Sequence, residues 1–242
     1  MSQLLNKKLI FGTSTASDGP MGTSSITDEN ILKNINLYVL RLCKNVDPKK
    51  TITAQQIHEN RIEIVSEKNA GSCIAQCDGL ITNCPNLPLL IRTQDCVPIF
   101  LRDDELEVVG ILHAGWRNIL SGILPRALHE IENHFGVKTK NISVTLGPSI
   151  KKCCFEIQGD VFDQFNGSYS NCIFYSEDKT FLDLGKILWI QALTAGVFSG
   201  NINEDPECTH CFKENGEWKY NSWRREHKKS FNLGSVIVLS QQ

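Results

Sequence analysis

Three short segments each put a metal-competent or nucleophilic side chain just off a predicted strand. They are Ala54-Gln-Gln-Ile-His58, Thr93-Gln-Asp-Cys96-Val-Pro98 and Leu112-His113-Ala-Gly-Trp-Arg117. Polar groups at strand ends are where a rigid sheet presents chemistry to a cleft. Two imidazoles and a thiolate suit zinc, a borderline-soft ion that prefers four tetrahedral ligands, and they leave its fourth position open. A catalytic zinc needs that opening, because water bound there is acidified toward neutrality. Without a metal, the same set offers Cys96 as a nucleophile activated by His113. Spacing alone does not choose between these, since 38 and 17 residues separate the three. A histidine near a strand end also serves as a satisfied structural side chain, and a cysteine as a small apolar filler.

Other residues with chemical potential carry weaker patterns. Cys208-Thr-His-Cys211 invites a zinc-knuckle or redox reading, but a structural zinc needs four ligands and the partner group in view, Cys73, Cys77 and Cys84, is irregularly spaced. Adjacent Cys153 and Cys154 would point to opposite faces of a strand, which reads as packing. Arg117 suits an anion through its forked guanidinium, as do Arg224 and Arg225, for which structural ion pairing reads equally well. His129 and His134 read as solvated, and nothing selects His210 or His227.

The elements that must position these groups follow from periodicity. Residues 8–14 read as a short strand and 15–25 as a Gly-containing loop. Thr27 then caps a helix with Asp28 and Glu29 in its first turn and Ile31, Ile35, Tyr38 and Leu42 on its buried face. Strands are expected at 51–57 and 61–65. Those at 89–93, 97–101 and 106–112 are dense enough in apolar residues to be covered on both faces, the last two forming a hairpin about Asp103-Asp104. A helix is expected over about 119–135, ended by Gly136, then a strand at 141–146, helices near 160–165 and 183–196, and a strand at 235–239. No repeat, low-complexity tract or linker divides the chain, so residues 1–242 read as a single α/β domain of mixed β-sheets with helices packed outside.

Composition sets the class of partner. The 242 residues carry 25 Lys+Arg against 27 Asp+Glu, a net charge of −2, with no basic stripe, so a dedicated nucleic-acid binder is not expected. The most apolar stretch, 87–101, is broken by Arg92, Gln94 and Asp95 and is shorter than a membrane span. The first residues lack a signal peptide's apolar core. A cytoplasmic protein is therefore expected, whose ten cysteines are not a disulfide framework.

Read together, the motifs resemble the YfiH family, also called the laccase-domain or multicopper polyphenol oxidase family. The matching blocks are Gln56-Ile-His58, Cys77-Asp-Gly-Leu-Ile-Thr82, Asp95-Cys-Val-Pro98, His113-Ala-Gly-Trp-Arg117, Leu146-Gly-Pro-Ser149, Cys153-Cys-Phe-Glu156, Asp183-Leu184, Cys208-Thr209 and Ser222-Trp-Arg-Arg225, in family order. The resemblance implies one α/β domain with a mononuclear zinc held by His58, Cys96 and His113. It also implies an enzyme that phosphorolyses purine nucleosides (adenosine, inosine, guanosine or methylthioadenosine), with phosphate as co-substrate and adenosine deamination as a second activity. The sequence departs from the family where a Gly-Gly-rich turn becomes Ser17-Asp-Gly-Pro-Met-Gly22, where Ala becomes Gln94 and Gly becomes Asn118, and where Ser230-Phe-Asn-Leu-Gly234 replaces a Gly-Arg block. An arginine that held substrate or phosphate there would be missing, shifting affinity or substrate choice.

The expected function is thus a zinc-dependent purine nucleoside phosphorylase and adenosine deaminase, acting as a monomer on small molecules. Zinc is the expected metal and copper the alternative. Arg117 is expected to stabilise an anion or orient substrate. Asp78 and Asp95 are expected to orient the ligand imidazoles, Asp95 being equally readable as a structural acid at a strand end. The alternatives are a metal-independent Cys/His hydrolase or peptidoglycan-editing enzyme, and a non-catalytic metal-binding protein. Multicopper oxidation is disfavoured, because six histidines with no His-x-His pair do not supply a trinuclear cluster.

Overall fold

Strands whose successive side chains are all apolar must be covered on both faces, and here a second sheet covers one side and helices the other. The computed structural model describes residues 7–22, 28–103, 105, 107–227 and 232–241. From the start of the chain these form β1 (Lys7–Thr13), α1 (Glu29–Leu42), β2 (Ile52–Ala54), β3 (Ile62–Ile64), β4 (Cys73–Ile74), β5 (Gly79–Thr82), β6 (Leu89–Thr93), β7 (Val97–Asp103) and β8 (Val108–Ala114). Next come α2 (Trp116–Leu120), α3 (Ile123–Phe135), β9 (Ser143–Leu146), α4 (Gly159–Phe165), and the pair β10 (Ile173–Ser176) and β11 (Lys179–Leu182). The last part holds α5 (Leu184–Thr194), β12 (Ile202–Glu204), the pair β13 (Lys213–Glu214) and β14 (Glu217–Trp218), α6 (Trp223–Glu226) and β15 (Leu233–Gln241).

Two mixed sheets dominate, in the orders β1-β15-β6-β2-β4 and β12-β9-β7-β8-β5-β3. Between them lies a core in which Ile52, Leu89, Ile91 and Ile237 of the first sheet meet Leu80, Phe100, Val109 and Ile111 of the second. Alternate residues of the same strands face outward: Leu90, Val236 and Val238 pack on Ile35, Tyr38 and Val39 of α1. On the far side, Ile99, Leu101, Val108 and Leu112 pack under α3 and α5. The order of layers is helix, sheet, sheet, helix, so the expected α/β architecture with helices outside is the observed one.

Several boundaries differ from expectation. The helix start assigned to Thr27 lies outside the described residues, and the cap of α1 is Asp28, whose carboxylate accepts the Asn30 N–H at 2.8 Å. The strand expected over 51–57 stops at Ala54, because the chain turns away toward His58 in the left-handed region (φ 63°). The helix expected over 119–135 is two helices. Gly122 at φ 75° breaks it, and the buried Asn118 caps the start of the short α2 by accepting the Gly115 N–H at 3.0 Å. Gly136, at φ 73°, ends α3 as expected. β7 and β8 are the expected hairpin, in register from Val97↔Ala114 to Asp103↔Val108, while Asp104 lies outside the described residues.

Candidate active site

The chain crosses repeatedly between the two sheets, and one crossing leaves β6 after Thr93 and enters β7 at Val97, with Cys96 on it. His113 is the penultimate residue of β8, whose Ala114 pairs with Val97. His58 lies on the loop after β2, which runs parallel to β6 and ends beside it. Residues far apart in sequence therefore meet at one end of the double sheet. The ligand atoms of His58, Cys96 and His113 all lie within 4.8 Å of one another, and the two imidazoles meet edge-on with centroids 4.7 Å apart. His113 is buried, Cys96 partly buried and His58 exposed. Glycine at 115 lets the backbone pass close to the site, since a Cβ would stand 3.0 Å from the Cys96 Sγ and 3.2 Å from the Asn118 Oδ1, and both side chains would have to give.

A single carboxylate positions both imidazoles. Asp78, fully buried at the foot of β5, accepts the His113 Nδ1–H at 2.7 Å, leaving Nε2 to face the Cys96 sulfur. It also accepts the backbone N–H groups of Ile57 (3.0 Å), His58 (3.1 Å) and Glu59 (3.0 Å), which fixes the loop that carries His58. Burial would raise the Asp78 pKa, but the His113 hydrogen bond and charge and the N–H groups of Glu59 and Ile57 hold it below the ordinary carboxylate value. Burial likewise opposes ionisation of Cys96; the His113 charge and hydrogen bonds from both imidazoles outweigh it and bring the thiol down to about 6. Burial pulls His113 down, whereas the Cys96 thiolate and then Asp78 raise it to about 9. The two imidazoles therefore favour the thiolate of Cys96, the form that binds a metal or attacks an electrophile.

Asp95, expected to orient an imidazole, instead ties down the far wall of the site. Its carboxylate accepts the Thr209 hydroxyl at 2.7 Å, the Ser222 hydroxyl at 3.0 Å and the Arg224 N–H at 2.7 Å, and its own C=O accepts the Ile150 N–H. The structural-acid alternative is the one the geometry supports. Arg225 is structural too, donating to the carbonyls of Thr209, His210 and Tyr220 and to Glu226.

The three metal-competent side chains open into a cavity of ≈ 540 Å³, walled in part by the rings of Phe155 and Trp223. That volume falls within the ~300–1,000 Å³ range of small-molecule sites. Arg117, exposed and stacked on Trp116 at 4.0 Å, lines it, as does Arg224, whose guanidinium donates to the Glu156 C=O. His227, which no sequence signal selected, lines it as well, edge-on to Trp223.

Two further lining groups were also missed. Arg92 is 3% exposed; its Nε donates to the Met21 C=O at 2.8 Å, while its Nη2 is buried without a partner. The signal was present, as an arginine inside the otherwise apolar run Leu89-Leu-Ile-Arg-Thr93. Gln94, the departure from the family's alanine, leaves its buried Nε2 unpartnered against the same cavity. Part of the segment that replaces the family's Gly-Arg, residues 230 and 231, lies outside the described residues, and Asn232 lines the cavity.

The remaining sequence candidates fall elsewhere. His129 and His134 are exposed on α3, as expected. Cys153 and Cys154 do not flank a strand: they lie in a turn, and their sulfurs converge on those of Cys208 and Cys211. The partner group proposed from Cys73, Cys77 and Cys84 is thereby corrected.

Comparison with known proteins agrees with this geometry. The family profile described as multi-copper polyphenol oxidoreductase laccase matches residues 21–240. The chain is 29% identical over 184 residues to a purine nucleoside phosphorylase of Clostridium acetobutylicum, covering 75% of each. It is 27% identical over 178 residues to adenosine deaminase RL5 of an unknown prokaryotic organism, covering 69% of this chain and 68% of that protein. The crystal structure of the hypothetical protein YfiH of Bacillus licheniformis shares the fold, with a TM-score of 0.85 at 24% identity over 96% of this chain and 93% of that one.

Proposed function

This chain belongs to the multi-copper polyphenol oxidoreductase laccase family, and from that premise we propose that it is a purine nucleoside phosphorylase with adenosine deaminase as a second activity. One observation carries the reading: His58, Cys96 and His113 converge on the wall of a cavity of nucleoside size that three arginines also line. Relatives named for both activities support it.

His58, Cys96 and His113 would hold the metal, and zinc suits a donor set of two imidazoles and a thiolate. When bound, such an ion supplies Lewis acidity. The chain's own residues supply the rest. Asp78 keeps His113 in the tautomer that turns Nε2 toward Cys96. Phe155 and Trp223 offer flat apolar faces to a purine, and the free Gln94 amide offers it a hydrogen bond. The partnerless Nη2 of Arg92, together with Arg117, supplies positive charge for phosphate. In phosphorolysis a phosphate oxygen bonds to the ribose carbon as the bond from that carbon to the purine breaks; the electron pair leaves with the base, which takes up a proton. In deamination, water replaces the amino group and ammonia leaves. The reading goes with a cytosolic monomer acting on free nucleosides rather than nucleic acid. Ten free cysteines support a reducing compartment, and among the described residues no helix is long and apolar enough to cross a membrane.

The test is release of free base from a nucleoside panel with and without phosphate, together with the metal content of wild type and Cys96→Ala. Phosphate-dependent release that disappears with the metal in Cys96→Ala is the expected result, and full activity in a metal-free Cys96→Ala protein ends the proposal. The low thiol value of Cys96 beside His113 favours one second reading, a metal-independent Cys96 hydrolase. It requires activity that survives chelation and a covalent adduct on Cys96.

A further inference from the structure

Four cysteines outside the pocket have no part in its chemistry, yet the fold gathers them. The sulfurs of Cys153, Cys154, Cys208 and Cys211 all lie within 4.8 Å of one another. Two adjacent turns bring them together. In the first, the Cys154 N–H donates to the Lys151 C=O at 2.9 Å; in the second, the Phe212 N–H donates to the Cys208 C=O at 2.9 Å. A parallel bridge between Ser149 and Cys208, with the Thr209 N–H on the Ser149 C=O at 3.0 Å, locks the turns side by side.

The spacing is that of a metal site. Zinc–sulfur bonds of about 2.3 Å set the sulfurs of a tetrahedron about 3.8 Å apart. The Cys153 and Cys211 sulfurs stand 3.8 Å apart, and a disulfide would require them to close to about 2.05 Å. The buried Cys208 sulfur accepts the Lys151 N–H at 3.4 Å and faces the N–H groups of His210 and Cys211, donors that favour thiolate over thiol. Burial instead pushes the Cys153 and Cys154 thiols up, so a metal ion must displace their protons. Arg225 holds the second turn in place through the Thr209 and His210 carbonyls, while Glu226 pairs with its guanidinium at 2.7 Å.

We propose that Cys153, Cys154, Cys208 and Cys211 bind a second zinc ion as a closed four-thiolate structural site. Four protein ligands leave no open position, so the site is not catalytic. The thiol protons go to solvent as the four metal–sulfur bonds form. Its effect is to staple the turn flanked by Ile150 and Phe155, which line the cavity, to the turn at 208–212. Arg225 ties the Thr209 and His210 carbonyls of that second turn to α6 and its cavity-lining Trp223 and Arg224. The sequence spacing hid this set because the second pair lies more than fifty residues from the first (153 to 208).

The test counts metal in the full chain, purified reduced and without chelator. Wild type should hold about two zinc ions, and Cys96→Ala and the Cys208→Ser/Cys211→Ser double variant about one each. A zinc ion retained in Cys96→Ala and lost in the double variant supports this site even if the pocket proves to have another function. Because the double variant can also fail by misfolding, alkylation of wild type with iodoacetamide, mapped by peptide mass, gives a second reading. Cys73, Cys153 and Cys211 are all exposed, so Cys73 is the internal reference. With zinc bound, Cys153 and Cys211 should react about tenfold or more slowly than Cys73, and chelation should abolish the difference. Equal reactivity before chelation, or a Cys153–Cys211 disulfide in the reduced preparation, overturns the proposal.

Discussion

At the scale of single residues, Asp78 concentrates the most consequence in one side chain. It holds His113 directly and His58 through three backbone N–H groups, so its loss disturbs two of the three metal-competent residues at once. Asp78→Ala should weaken zinc binding by about 10–100-fold and, by leaving buried donors unpaired, cost about 3 kcal/mol of stability. A zinc titration and a urea unfolding curve read the two effects separately, and unchanged zinc affinity would remove Asp78 from the site. Arg92→Lys keeps a charge but not the planar fork, and should raise the KM for phosphate about tenfold while leaving the order of nucleoside preference intact. Steady-state kinetics at varied phosphate check this; a change confined to nucleoside KM would place Arg92 at the base instead. These roles were unequally legible. His58, Cys96 and His113 were visible as residue types at strand ends. The division of labour between Asp78 and Asp95 was not, because each acid takes its meaning from partners 19 to 129 residues away.

At the scale of elements, backbone conformation decides whether the loops reach the site. Gly136 ends α3 at φ 73°, and a Cβ there would meet nothing within 4 Å. Gly136→Ala should therefore cost only the left-handed backbone strain, about 1 kcal/mol, seen as a lower unfolding midpoint at constant denaturant slope. Gly115→Ala is different in kind. Its Cβ would stand against the Cys96 sulfur and the Asn118 amide, and the substitution should lower metal occupancy as well as stability, as metal analysis of the purified variant would show. Helix ends marked by glycine were readable from sequence, as Gly136 was. The break at Gly122 was not, because the apolar period runs on across it.

At the scale of the whole molecule, the site exists because two sheets are stacked and the chain crosses between them at Cys96. β15 is central to that arrangement: it pairs with β1 on one side and β6 on the other, and its residues from Leu233 to Ser240 are buried. Deleting residues 233–242 should abolish cooperative unfolding altogether, measured by circular dichroism, rather than trim an end. Metal bound only by the folded chain should stabilise it, so chelation should lower the unfolding free energy by about 3 kcal/mol for each ion present at a hundredfold its dissociation constant. An unfolding midpoint indifferent to chelator would mean that neither cluster holds an ion tightly. The sequence by itself determined the layers, since periodicity and apolar density follow local chemistry: strands apolar on both faces, amphipathic α1 and α3, and the polar residues at strand ends. Tertiary structure alone decided which distant groups meet. It turned Asp95 toward Ser222 and Arg224, left one nitrogen of Arg92, Nη2, partnerless against the cavity, and brought Cys153 and Cys154 to Cys208 and Cys211. The physical reason is that strand pairing and loop closure set those encounters, and neither leaves a periodic trace along the chain.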